Sequence, residues 1–264
     1  MSNSRLPPEL LDHIVDLLHD TEYALKDCSL VSKSWVPRAR KHLFANITFS
    51  SAKSLQSWKE RFPDPLSSPA RYAHTLSVTF VLATTAACDW IKGFSRVERF
   101  MFTFDRNDDD KPAVSLIPFY GFSPIVKSLS IFSSALPSSQ VFDLVLSFPL
   151  LQDLHVISYF EQVKNGDGSD GLSTVIQPSN PPVFTGSLVL WMGGGLGFIV
   201  NWLLSLPSLR FRELTLALAC EEDMSLATAL VGECSYTLEC LNITGRHSRT
   251  SARTSAYTNN LLSF

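Results

Sequence analysis

Val126-Lys127-Ser128-Leu129-Ser130-Ile131 and Leu151-Gln152-Asp153-Leu154-His155-Val156 carry the same phrase: apolar, two free positions, apolar, one free position, apolar. It returns as Phe44/Ile47/Phe49, Ala73/Leu76/Val78, Val97/Phe100/Phe102, Thr185/Leu188/Leu190, Phe211/Leu214/Leu216 and Leu238/Leu241/Ile243. Successive middle members lie 24 to 34 residues apart, so one supersecondary unit repeats along the chain. The last two apolar residues of each phrase are two apart, the period of a strand with one buried face. The spacing between phrases is helical in several places. Leu55, Trp58 and Phe62 share a face over 54–62, and Val141, Leu144, Val145 and Phe148 do so over 138–148, with similar stretches at 198–206 and 224–234. Pro149 and Pro207 stop two of these helices after the matching phrases Ser147-Phe148 and Ser205-Leu206. A strand-plus-helix unit of this size cannot bury its apolar face alone, which predicts stacked neighbours with parallel strands.

Composition agrees with a packed chain. The 264 residues include 37 Leu and 35 Ser, are 45% hydrophobic and only 18% charged, and carry a net charge of −3 from 22 basic and 25 acidic groups. That is too apolar for disorder and too weakly basic for a phosphate-tracking nucleic-acid binder. The five Cys are odd in number and form no CxxC pair, and the first residues lack the basic and apolar regions of a secretory leader, so a cytoplasmic or nuclear home is expected. Apolar runs fall short of the roughly 18 residues a membrane span needs, which predicts no membrane association.

The first 48 residues read differently. Leu10, Leu11, Ile14, Leu17 and Leu18 recur at three and four residues, with Pro7 and Pro8 suited to the opening of a helix. A second apolar set, capped by Asp20 or Thr21, runs through Ala24, Leu25, Cys28 and Val31. A third covers 32–44 with Trp35, Ala39, Leu43 and Phe44, where Pro37 should mark the first turn or bend the helix. Three helices this short bury little surface, so the unit wants a partner.

The runs L-P-x-E-L-L-x-x-I from Leu6 to Ile14, C-S-L-V-S-K-S-W from Cys28 to Trp35 and L-F-x-x-I from Leu43 to Ile47 together resemble an F-box, of the kind found in the expanded fungal F-box families. The sequence departs from the usual pattern at Ala24-Leu25, Phe44 and Pro37. The resemblance implies an adaptor that docks a Skp-type protein, and through it a cullin-RING ubiquitin ligase of the SCF type, while the rest of the chain recruits a protein substrate. By the same resemblance Leu6, Pro7, Leu10, Ile14, Leu17, Leu25, Cys28, Val31 and Trp35 would meet the Skp-type adaptor, although such residues can equally hold the three helices together.

The remainder is similar, more loosely, to degenerate leucine-rich repeats. The position where regular repeats carry a ladder asparagine holds Ala52, Val81, Asp105, Ser134, Tyr159, Gly193, Ala219 and Arg246, so irregular repeats are expected. The fold class that follows is mixed α+β or α/β: a three-helix F-box over 1–48, then an irregular leucine-rich-repeat solenoid over 49–245 with a concave parallel sheet and convex helices, then a poorly ordered tail over 246–264. Polar insertions at 161–182 and 105–111 read as protruding loops. If the phrase residues point inward, the alternate strand positions face out. Met101, Phe132, Ile157, Val189 and Trp191 are apolar there and form a possible substrate face, unless loops or the tail cover it.

Residue patterns that would carry catalysis fall short. Asn165, Asp167 and Ser169 alternate like a calcium loop, but Asp170 and Ile176 stand where Gly and a bidentate Glu belong. Gly193-Gly194-Gly195-Leu196-Gly197 follows a predicted strand and opens a helix, with Glu221 and Glu222 ending the next strand, yet Phe198 replaces the third glycine of a nucleotide loop. The six His show no metal spacing, and Cys234 and Cys240 read as small core residues. The expectation is a non-enzyme without cofactor or metal; the alternatives are a non-ligase interaction scaffold and, remotely, a nucleotide-binding protein using the 193–197 loop.

Overall fold

Two prolines set the first helix. Pro7 stands at its N-cap and Pro8 at its first position, where a missing N–H removes no helical bond. The computed structural model describes residues 7–80, 88–104, 116–133, 138–158, 181–192, 197–207 and 209–245. Helix α1 is Pro8–Leu17, α2 Glu22–Val31 and α3 Val36–Leu43. Thr21 is the N-cap of α2, but its side chain makes no cap bond; Glu22 in the first turn pairs with Lys26 at 2.5 Å instead. The third helix starts later than position 32, because the chain first turns with Trp35 N bonded to Ser32 O; Pro37 then falls in its first turn. These helices share a small core of Val15, Leu25, Cys28 and Ala39, edged by Leu18, Trp35 and Leu43.

The repeated phrases become strands β1 Asn46–Phe49, β2 Thr75–Phe80, β3 Arg99–Phe104, β4 Ser128–Ser133, β5 Asp153–Ser158, β6 Ser187–Met192, β7 Glu213–Leu218 and β8 Cys240–Gly245. They form one parallel sheet in sequential order, giving a mixed α/β fold with eight strands and seven helices among the described residues. Register follows the phrase residue by residue. Ile47, Leu76, Phe100, Leu129, Leu154, Leu188, Leu214 and Leu241 pair across the sheet as one row, and Phe49 through Ile243 pair as the next. A one-residue slip would turn every one of these side chains to the opposite face, so the phrase itself fixes the pairing.

Strand starts are tied to one another by main-chain bonds. The carbonyl of Ala45 accepts from the N–H of His74 and of Thr75, that of His74 from Glu98 and Arg99, that of Glu98 from Lys127 and Ser128, and that of Lys127 from Gln152 and Asp153. Gly186 O and Arg212 O continue the pattern toward β8. At the longest step, β5 to β6, it changes: Gln152 O accepts from Gly186 N, and the Asp153 carboxylate accepts from Ser187 N at 2.7 Å.

Four connections are helices, α4 Ala52–Arg61, α5 Ser138–Leu146, α6 Gly197–Leu204 and α7 Glu222–Cys234. Ser51 and Ser54 cap α4 reciprocally, each hydroxyl accepting from the other's N–H at 3.2 Å. The β1–β2, β2–β3 and β3–β4 connections carry short 3₁₀ turns at Pro69–Tyr72, Cys88–Phe94 and Ile117–Phe119. Phrase residues and inner helix faces pack into one core, from Leu55 on α4 to Leu230 on α7. Two expectations change. Glu221 and Glu222 do not end a strand but open α7, where the buried Asp223 carboxylate accepts from Ala219 N and Cys220 N. Cys234 is a core residue as expected, whereas Cys240 begins the edge strand β8 and is exposed.

Candidate functional site

The helical unit divides its apolar residues between two jobs. Val15, on the other side of α1 from Leu10, Ile14 and Leu17, is fully buried against α2 and α3. Leu10, Ile14 and Leu17, spaced four and three apart on one stripe, stay exposed, Leu17 to 70%. The end of α2 does the same: Val31 is 71% and Leu30 85% exposed. Singly exposed leucines are ordinary; here three apolar side chains share one exposed stripe on a unit with a small core.

Of the residues expected at an adaptor surface, Pro7, Leu10, Ile14, Leu17 and Val31 lie on the outside. Leu25 and Cys28 are buried in the helical core and Trp35 is half-buried at its edge, so these three hold the unit together. Leu6 lies outside the described residues. Exposed Leu30 and Tyr23 were not singled out from the sequence; Leu30 adjoins Val31 within the quoted run, and a helical wheel of α2 with Leu25 and Cys28 inward leaves it outside.

A polar clasp fixes the angle between α1 and α3. Arg38 donates to Asp16 from Nε at 2.5 Å and also from its second guanidinium nitrogen, and His42 Nε2 lies 2.7 Å from Asp16 Oδ1. The Arg38 hydrogen bond, then that of His42, holds the Asp16 carboxyl well below the usual carboxylate range. Across the sequence the partners are distant, and only the fold brings them together.

On the sheet, the alternate positions face away from the main core. Phe132, Ile157 and Trp191 are adjacent in register on β4, β5 and β6; Ile157 is only 7% exposed and stands outside the main core cluster, while Phe132 and Trp191 are half-buried. Met101 and Val189 are also half-buried and are separated in register by Ser130 and His155. Val189 adjoins Trp191, two residues away on the same face of β6, so four of the five expected face residues are contiguous and Met101 stands apart; the trio's centre is covered rather than open. Trp191 Nε1 is buried and has no hydrogen-bond partner among the described residues.

Beside the trio runs a polar relay. Ser130 Oγ lies 3.4 Å from His155 Nδ1, His155 Nε2 3.1 Å from Ser187 Oγ, and Ser187 Oγ donates to Asp153 Oδ1 at 2.9 Å. The tautomer that satisfies all of these carries its proton on Nε2. The carboxylate bonds a serine rather than the imidazole, so this is not the Asp–His–Ser order of a nucleophile with its oriented base. It ties three strands. Burial pushes the His155 pKa down from its ordinary 6.5, with a smaller opposing pull from Asp153. Because the unfolded chain then binds more protons, stability is complete above about pH 6.5 and falls as the pH drops toward the depressed folded value. Urea unfolding at stepped pH should show this slope in the wild type and a shallower one in His155→Gln; equal slopes would remove His155 as its source.

No metal-holding cluster of His, Cys, Asp or Glu exists among the described residues. Within those residues no helix is long and apolar enough to cross a membrane. The calcium-like alternation at Asn165, Asp167 and Ser169 lies outside the described residues, as do the 105–111 insertion, most of the 161–182 loop, residues 193–196 of the glycine loop and the 246–264 tail. Compared with protein-family models, curated proteins and solved structures, the chain matches none.

Proposed function

We propose that the protein is a non-catalytic substrate receptor: an F-box-like helical unit that docks a Skp-type adaptor of a cullin-RING ubiquitin ligase, followed by an irregular leucine-rich-repeat-like domain that holds a protein target, working in the cytoplasm or nucleus. The observation that carries this reading is the exposed stripe Leu10, Ile14 and Leu17 on a unit whose own core uses Val15, Leu25, Cys28 and Ala39. The sequence runs that resemble an F-box supply the identity of the partner. With Ile157 covered at its centre and Phe132 and Trp191 half-buried on either side, the outer sheet face is a weaker candidate for the target surface than the sequence suggests.

The test is calorimetric titration of the full chain with a purified Skp-type adaptor. Burying one leucine contributes about 1.5–3 kcal/mol, so Leu10→Glu should weaken binding by at least about tenfold. Leu10 is half-exposed, so the thermal midpoint should hold. Trp35→Ala is the wrong variant, since it disturbs the helical core as well. Failure of the wild-type chain to bind, or full binding by a folded Leu10→Glu, rejects the reading. Co-purification with a cullin separates a ligase receptor from a scaffold that binds the adaptor alone.

A further inference from the structure

Where the helical unit meets the sheet domain, a pocket of about 130 Å³ opens between the end of α3, the end of α4 and the turn Pro69–Tyr72. Two arginines from distant parts of the sequence, Arg40 and Arg71, line it, and no Asp or Glu does. Among the described residues Arg40 has no ion-pair or hydrogen-bond partner for its guanidinium, and Arg71 bonds only the Tyr72 hydroxyl, at 2.8 Å, with its guanidinium carbon 4.8 Å from that ring's centre. Half-buried Phe44 and Phe62, in edge contact at 6.4 Å, form an apolar wall.

Two unneutralised cations at one apolar-walled pocket repel each other, and a low-dielectric wall strengthens both that repulsion and the pull on an anion. The donors are numerous. Each guanidinium offers five N–H groups, of which Arg71 uses one, and the Tyr72 hydroxyl, accepting from Arg71, still has its own proton to give. A single guanidinium neutralises the one charge of a planar carboxylate; a tetrahedral phosphate dianion carries charge for two guanidinium groups and oxygens for both forks and a hydroxyl. We infer that the juxtaposition of Arg40, Arg71 and Tyr72 over the Phe44–Phe62 wall is a binding site for a phosphate group, either free or carried on an aromatic side chain. The site is independent of the adaptor surface on α1.

Titration of the full chain with phenyl phosphate, inorganic phosphate and benzoate, followed by calorimetry in about 0.15 M salt, tests this. Phenyl phosphate is expected to bind saturably, and Arg40→Gln and Arg71→Gln each to weaken it by about tenfold or more. Both arginines are exposed, so their replacement should leave the thermal midpoint in place. Phenyl phosphate binding about tenfold tighter than inorganic phosphate supports a phosphate borne on an aromatic side chain, and equal binding supports the free ion. The inference is overturned if neither phosphate binds saturably below about 10 mM, if benzoate binds as tightly, or if the two folded arginine variants bind as the wild type does.

Discussion

Phe100→Ala is expected to destabilise the protein by about 3–5 kcal/mol, a large part of what a domain of this kind has. Phe100 is 1% exposed and sits in the middle row of β3, paired with Leu76 and Leu129. Its ring stacks on Phe119 at 5.7 Å and meets Phe122 edge-on at 5.0 Å, with Phe102 and Phe148 each 6.3 Å away. Strands on both sides are held by main-chain bonds and cannot close inward, so truncation leaves a cavity rather than a collapsed site. Urea unfolding measures the loss. Tyr236→Ala is the control, because that side chain is wholly exposed and its removal should stay within about 0.5 kcal/mol. A Phe100 variant no worse than the control would mean that this ring cluster does not hold the sheet.

Gly186→Ala should cost about 2–3 kcal/mol, although it adds only a methyl group. A Cβ at Gly186 would stand 2.1 Å from Asp153 Oδ1 and 2.8 Å from its Cγ, so the carboxylate must swing away. It would abandon Ser187 N and Ser187 Oγ, the bonds that complete the β5–β6 step, and would break the relay that reaches His155. Gly232→Ala makes the informative contrast. It lies within α7 with nothing near its would-be Cβ, so Ala there should stabilise by about 0.5–1 kcal/mol through helix propensity. If the two substitutions changed the thermal midpoint alike, the close approach at Gly186 would not be the cause.

Much of the sheet was legible because one rule served throughout. A buried face demands apolar residues two apart, and the register then followed the phrase from Ile47 to Leu241. Helices α4 to α7 were legible from their apolar spacing. The 3₁₀ turns were not: three or four residues such as Pro69–Tyr72 or Ile117–Phe119 are too short to display a period. The division of the helical unit into core and outer stripe was also hidden, since Leu17 and Leu25 are chemically alike and only packing decides that one is exposed and the other buried. Pairings over long separations, Asp16 with Arg38 and Asp153 with Ser187, depend on tertiary placement that no local pattern encodes.

Sequential strand order also governs how the chain reaches this structure. Every strand pairs only with the ones before and after it in sequence, so no inter-strand contact must close a loop longer than one step. Since doubling a loop adds only about 0.6 kcal/mol to its closure, the 34-residue step from β5 to β6 is hardly a greater obstacle than the 24-residue step from β2 to β3. Folding can therefore start in the middle of the sheet, at the ring cluster around Phe100 on β3, and advance outward one strand at a time, with amide exchange slow there and quickening toward β8, whose six residues all remain exposed.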